Sequence, residues 1–167
     1  FTIDSNLFAG IISLILAVKE IQFIKNNKEI TTKYFILKLL GGVSVSLTML
    51  VTVFYLAPTS EQGYFSLFQD SNLFLHFIIP CLYIISFIFF EKNNLLKFKH
   101  SFLGISPMLI YGIYYLVNII IHLENGYSSP KYDLYGFIKG GIQVSFIVFP
   151  IILVTTYLIS LILFLLN

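Results

Sequence analysis

The stretch Asp70-Ser71-Asn72-Leu73-Phe74-Leu75-His76-Phe77-Ile78-Ile79-Pro80 opens an apolar run that continues to Phe90. At ~1.5 Å per residue, the run from Asn72 is long enough to cross the ~30 Å hydrocarbon layer of a bilayer as a helix. Polar groups cluster at its head, an imidazole lies inside it, and a proline follows one turn later. A histidine in hydrocarbon is costly unless it is partnered or faces a cavity. Pro80 has no N–H, so the carbonyl of His76 is expected to lose its helical partner and leave an open, polar turn around the ring. A functional site, on this reading, is centred here.

The rest of the chain agrees with that class. Of 167 residues, 57% are hydrophobic and 11% charged, and mean hydropathy is +0.90. A soluble domain carries about 25% charged residues, so this supply cannot cover a water-soluble surface. The expected fold is all-α: a polytopic helical membrane protein, residues 1–167 forming one transmembrane domain. The predicted spans are approximately 5–24, 34–56, 72–90, 103–123 and 137–166. The last exceeds the ~20 residues a crossing needs, so it is expected to tilt, to kink near Pro150 or to extend beyond the membrane. The stretch from Ser5 to Val18 lacks the basic lead and small-residue cleavage pattern of a signal peptide and reads as a true span. The first residue is Phe1, not Met, so a further helix upstream is expected.

The connections suggest an orientation. Lys19, Lys25, Lys28, Lys33 and Lys38 group around the first connection, and Lys92, Lys97 and Lys99 around the third. The second connection holds Glu61 and Asp70 without lysine, and the fourth sets Glu124 and Asp133 against Lys131 and Lys139. Basic loops alternate with the others as five crossings require. The positive-inside rule assigns loops 25–33 and 91–101 to the cytoplasm, and loops 57–71 and 124–136 to the extracytoplasmic side.

Other classes find no foothold. All ten basic residues are lysine, which argues against an arginine-rich nucleic-acid surface, and no nucleic-acid partner is expected. The lone Cys81 excludes an intrachain disulfide. No phosphate loop, dinucleotide fingerprint, CxxC or HExxH occurs, so no cofactor is expected. His76, His100 and His122 are isolated from one another, and no metal site is expected. Near absence of charge within the spans, and lack of an inverted repeat, speak against a channel or large transporter. The richness in Ile, Phe, Asn and Lys, with no Trp, suggests an AT-rich bacterial genome. Gly41-Gly42 and Gly140-Gly141 read as close-packing points between helices. Tyr34, Tyr55, Tyr64, Tyr127, Tyr132 and Tyr135 near the span ends read as interfacial anchors. Tyr111 and Tyr115 lie deeper, share a face, and either offer hydroxyls to a cavity or bond between helices.

Topology brings Thr2, at the mouth of the first span, to the depth of His76. Asp4, Ser5, Asn6, Asp70, Ser71 and Asn72 are expected around them, and Asn72 and His76 are four apart on one helical face. A hydroxyl, an imidazole, and an amide or carboxylate are the ingredients of base-activated nucleophilic catalysis. The plainer role for Thr2, Asp4, Ser5, Asp70 and Ser71 is helix capping, and for His76 an interhelical hydrogen bond.

The motifs Phe1-Thr2-x-x-Ser5-Asn6 and Asn72-x-x-x-His76-x-x-x-Pro80 resemble those of bacterial six-span integral membrane proteins. These in turn are similar to the androgen-induced and androgen-dependent-inhibitor membrane protein family. Its eukaryotic members are atypical threonine hydrolases that cleave fatty acid esters of hydroxy fatty acids. The resemblance implies a nucleophilic role for Thr2, a base role for His76, and one helix upstream of Phe1. It covers most of the chain, including the outer loop from Tyr127 to Gly136.

The expected function is therefore hydrolysis of lipid esters within the membrane. Thr2 would attack a fatty-acyl ester and His76 would take its proton. Asn72, or main-chain N–H groups near Ser5 and Asn6, would serve the oxyanion, with Asp4, Asp70 or Asp133 as the third group. Membrane lipids are the expected partners. Two rival expectations stand beside it: a non-enzymatic protein that binds or moves a small amphiphile, and a structural or assembly partner of another membrane protein.

Overall fold

The computed structural model describes residues 1–124, 127–128, 131–133, 135–136 and 142–167. Among the described residues five helices are long and apolar enough to cross a membrane: α1 (Thr2–Asn26), α2 (Thr32–Leu56), α3 (Asp70–Phe90), α4 (Phe98–Ile121) and α5 (Ser145–Leu166). The protein is a multi-pass, all-α membrane bundle. Each of the first four helices begins two to five residues ahead of the apolar run that predicts it, because the polar residues at the heads of these runs join the first helical turn. The fifth is shorter than expected. Its α-helix starts at Ser145 after a 3-10 turn at Ile142–Val144, and Pro150 lies within its second turn. Residues 137–141, which include Gly140-Gly141, lie outside the described residues.

The lipid-facing surfaces follow from composition. Ile3, Leu14, Ile24, Phe54, Phe89, Phe90, Ile110 and Phe146 are all exposed, as expected where the solvent is hydrocarbon and apolar residues encircle each helix. The α2 helix is the hub. Its most apolar window is 56% buried, against 17–28% for the other four. Leu39, Val43 and Leu47 of α2 form the core with Leu16 of α1, Phe87 of α3, Met108 of α4 and Leu163 of α5. Gly41 makes this approach possible: a Cβ there would collide with the end of the Tyr83 side chain.

Among the described residues three π turns interrupt the helices, at Thr52–Leu56, Phe74–Ile78 and Ser86–Phe90. The second surrounds the histidine that the sequence singles out. Ahead of Pro80 the helix widens, and the Ile79 N–H donates to the carbonyl of Phe74, five residues back. The proline is accommodated by a wider turn, and His76 sits on that turn. Outside the spans, a 3-10 segment at Tyr64–Phe68 folds back on α3, with Phe68 edge-on to Phe77 at 6.4 Å between ring centroids. A short antiparallel pair, β1 (Leu123–Glu124) and β2 (Tyr127–Ser128), follows α4, with Leu123 opposite Ser128.

The two ends of the bundle differ in charge. One carries the lysine-rich connections after α1 and α3, the basic end; the other carries the starts of α1, α3 and α5. Lys38 is not part of a connection, contrary to expectation. It lies in the second turn of α2, is 2% exposed, and forms an ion pair with Glu91 at 2.9 Å.

Candidate functional site

At the end opposite the lysine-rich connections, α1 begins at Thr2 without a side-chain cap, and α3 begins at Asp70 without one either. Neither helix start shows the side-chain cap expected of Thr2, Ser5, Asp70 or Ser71, while the Asp4 carboxylate lies 3.4 Å from the Phe1 ammonium. Thr2 instead lines a cavity of ≈ 40 Å³ with Leu47, Thr48, Val51 and Thr52 of α2, Met108 and Tyr111 of α4, and Ile152 of α5. A cavity needs about 10–15 Å³ to hold one water molecule, so this space takes water or the end of a small group. On its far side lies a groove of ≈ 430 Å³ between α2 and α5, walled by Leu50, Phe54, Tyr55, Val148 and Ile151. Leu47, Val51 and Ile152 border both spaces. Phe54 and Ile151 are largely exposed, so the groove opens toward lipid.

Asn6 ties the site together. Its Nδ2 donates to the Thr2 carbonyl at 2.8 Å and to the Leu75 carbonyl at 3.0 Å. One amide nitrogen thus clamps the first turn of α1 to the residue before His76 on α3. Because both of its N–H bonds go to carbonyls, Oδ1 faces the other way; it is buried and has no hydrogen-bond partner among the described residues. Ser5 adds a second clasp: its Oγ meets Oγ1 of Thr48 at 2.9 Å and donates to the Thr2 carbonyl at 3.0 Å.

His76 is 9% exposed, and its Nδ1 lies 3.1 Å from the carbonyl of Leu67. A carbonyl only accepts, so Nδ1 carries the proton and Nε2 is left as an acceptor in the neutral ring. Leu67 belongs to the 3-10 segment that folds over α3. No reading of side-chain types could single it out, because the group it supplies is main chain.

The other expected site residues are scattered. Asn72 is exposed and makes no side-chain hydrogen bond to His76 among the described residues; the π turn between them breaks the four-residue face that would have aligned them. Asp4 is 73% exposed. Asp70 is exposed and adopts a left-handed φ of 49°. Asp133 is buried and accepts a short hydrogen bond from the Tyr115 hydroxyl. Tyr111 stacks on Tyr115, with centroids 6.1 Å apart, and both border a second small cavity of ≈ 30 Å³. Only Tyr111 also borders the Thr2 cavity. The Ser5 N–H bonds the Phe1 carbonyl at 2.8 Å and is not free to serve an oxyanion.

Thr2 and His76 are joined through Asn6 rather than to each other. No hydrogen bond links their side chains among the described residues, and His76 does not border the Thr2 cavity. Among the described residues no three His, Cys, Asp or Glu side chains gather as a metal site. His100 accepts the Lys97 N–H at 3.0 Å, and His122 stacks on Tyr132 at 3.8 Å, each away from His76. The chain matches no protein-family model, no curated protein and no solved structure.

Proposed function

We propose that this membrane protein hydrolyses lipid esters within the bilayer, with Thr2 as nucleophile and His76 as general base, as in the threonine hydrolase family its motifs resemble. The observation that carries the reading is the Asn6 clamp, which ties the Thr2 turn to the turn that holds His76. Two further observations support it. The Leu67 carbonyl selects the ring tautomer that presents Nε2 as a base. The lipid-facing groove between α2 and α5 shares three walls with the Thr2 cavity, giving an acyl chain a lateral route to the hydroxyl.

In this mechanism Nε2 of His76 takes the Oγ1 proton as that oxygen attacks the ester carbonyl. The same ring returns the proton to the departing alcohol, leaving an acyl-threonine. Water then gives a proton to His76 and attacks the acyl carbon; the acid leaves and the hydroxyl is restored. The small Thr2 cavity has room for that water. Side chains in apo sites are often loose, and the gap between Thr2 and His76 is expected to close on a bound ester.

A second reading, retention of an amphiphile without chemistry, is favoured by one observation: His76 does not border the cavity that Thr2 lines. The test uses full-length protein in nanodiscs, treated with a fluorophosphonate probe and supplied with a panel of fatty-acyl esters. Labelling and turnover in the parent and in Thr2→Ser, lost in Thr2→Ala and His76→Ala, is the expected result. Labelling of Thr2→Ala equal to the parent would remove Thr2 as nucleophile. Ester retained unhydrolysed by an unlabelled parent would establish the binder instead.

A further inference from the structure

The basic end holds a second polar cavity that the Thr2 chemistry does not use. It has a volume of ≈ 430 Å³, within the ~300–1,000 Å³ typical of small-molecule pockets. Its polar walls are Ser13 and Glu20 of α1, Lys38 of α2, and Ser86 and Glu91 at the end of α3. The Lys38 ammonium donates to Ser13 Oγ at 3.0 Å, pairs with Glu91 Oε1 at 2.9 Å, and lies 4.1 Å from the centre of the Tyr83 ring. Oε1 also accepts from Ser86 at 2.6 Å.

The second oxygen of the same carboxylate is left over. Glu91 has a side chain 10% exposed, and its Oε2 is buried without a hydrogen-bond partner among the described residues. Glu20 borders the cavity, and its side chain makes no hydrogen bond or ion pair among the described residues. Two carboxylates and one ammonium give the walls a formal charge of −1. A buried carboxylate oxygen without a donor is costly, and a ligand that brings N–H groups and one positive charge removes that cost.

We propose that this cavity binds the primary ammonium group of an amphiphile. The chemistry of the walls narrows the class. A hard metal cation such as calcium wants six to eight oxygen ligands, and this cavity offers one orphan oxygen of Glu91 and the Glu20 carboxylate. A quaternary ammonium is recognised by open aromatic faces, and the Tyr83 face is occupied by Lys38. The remaining walls, Leu16, Ala17, Ile79 and Leu82, are apolar, and Ala17 and Leu82 are exposed to the lipid side. An alkyl chain leaves there while the ammonium stays on Glu91. The ammonium comes from a phospholipid headgroup or from a free long-chain amine; the walls recognise the same group in both.

The test places full-length protein in nanodiscs and measures retained ligand by native mass spectrometry. The ligands are hexadecylamine, phosphatidylethanolamine, hexadecanol and hexadecyltrimethylammonium. The parent is expected to hold an amine-bearing ligand at least tenfold more tightly than the alcohol or the quaternary ammonium. Preference for phosphatidylethanolamine identifies the headgroup as the source, and preference for hexadecylamine the free amine. Glu91→Gln, which keeps an acceptor for Lys38 and Ser86, is expected to cost at least tenfold in affinity, and Glu20→Gln severalfold. Gly10 borders the cavity and has open space where a Cβ would stand, so Gly10→Leu is expected to block binding while the melting temperature holds. Equal retention of amine and alcohol, or undiminished amine binding in both Glu20→Gln and Gly10→Leu, would overturn the proposal.

Discussion

At the basic end of the bundle the buried polar groups are full charges, Lys38 against Glu91 at 2.9 Å, with Ser13 and Ser86 completing them. Around Thr2 and His76, at the opposite end, they are neutral: Asn6 bridges two main-chain carbonyls, Ser5 meets Thr48, and His76 leans on the carbonyl of Leu67, while the buried Asp133 carboxylate is set apart on the Tyr115 hydroxyl. The contrast has an energetic consequence. A buried ion pair is held by mutual need, since either partner alone becomes an uncompensated charge in low dielectric. Neutral hydrogen bonds are each worth only about 1 kcal/mol net. Groups can therefore be removed from the neutral end with little loss of fold, which is where a reactive hydroxyl is tolerated. The charged end fixes the helices and offers chemistry only through its surplus carboxylate oxygen.

The widest separation of the two ends is expected from Thr2→Ala. The clasps at this residue run through its carbonyl, which alanine retains. Its melting temperature should match the parent, while ester turnover falls by a factor on the order of 10⁴ or more, the scale of losing a nucleophile. A large stability loss with residual turnover would make Thr2 a structural residue and dissolve the contrast.

Next in size is Lys38→Met, which strands Glu91 and is expected to cost about 3–5 kcal/mol of stability, read from unfolding in mixed micelles. The double variant Lys38→Met with Glu91→Leu should recover most of that loss, because an apolar pair of similar volume avoids the desolvation penalty. No recovery would mean that the pair acts through geometry rather than charge. A smaller effect, about 1–3 kcal/mol, is expected for Asn6→Leu, which takes the side-chain donor from the Leu75 carbonyl and leaves the Thr2 carbonyl without the Asn6 bond. It sharpens the comparison further. If Asn6 aligns the dyad, turnover falls by more than stability alone explains; if the Thr2 end only retains an amphiphile, ligand affinity is unchanged.

The helices were legible because the signal was redundant: each run is apolar on every side, and no alternative to crossing the membrane is open to it. The neighbourhood of Thr2 and His76 was legible from topology alone, since alternate crossings bring the starts of α1 and α3 to one end. Its wiring was not. Leu67 acts through a main-chain carbonyl and Asn6 through two more, and such bonds depend on how a 3-10 segment and a π turn fold rather than on side-chain identity. Lys38 was hidden for a different reason. It stands next to a lysine-rich connection in the sequence, and only the pairing with Glu91, 53 positions away, separates it from the surface lysines. The signal is in the neighbours: the four residues just before it, Tyr34 to Leu37, are apolar, and two leucines and a glycine pair follow, which is core sequence rather than loop.

The smallest expected effect is also the one that best defines the neutral end. A catalytic threonine aided by a carboxylate would lose several orders of magnitude when that carboxylate becomes an amide, as happens when the acidic member of a serine triad is replaced. Asp4 is 73% exposed and makes no hydrogen bond to His76 among the described residues, whose Nδ1 faces Leu67 instead. Asp4→Asn should therefore leave turnover within about twofold of the parent and stability within ~0.5 kcal/mol, the range for surface substitutions away from special features. The same holds for Asp70→Asn, since asparagine tolerates the left-handed φ of 49° found there. If either change cut turnover a hundredfold, the main-chain carbonyl would not be the group that orients the ring. The 3-10 segment would then be a cover over α3, and the acidic side chains at the helix mouths would have to swing inward when ester binds.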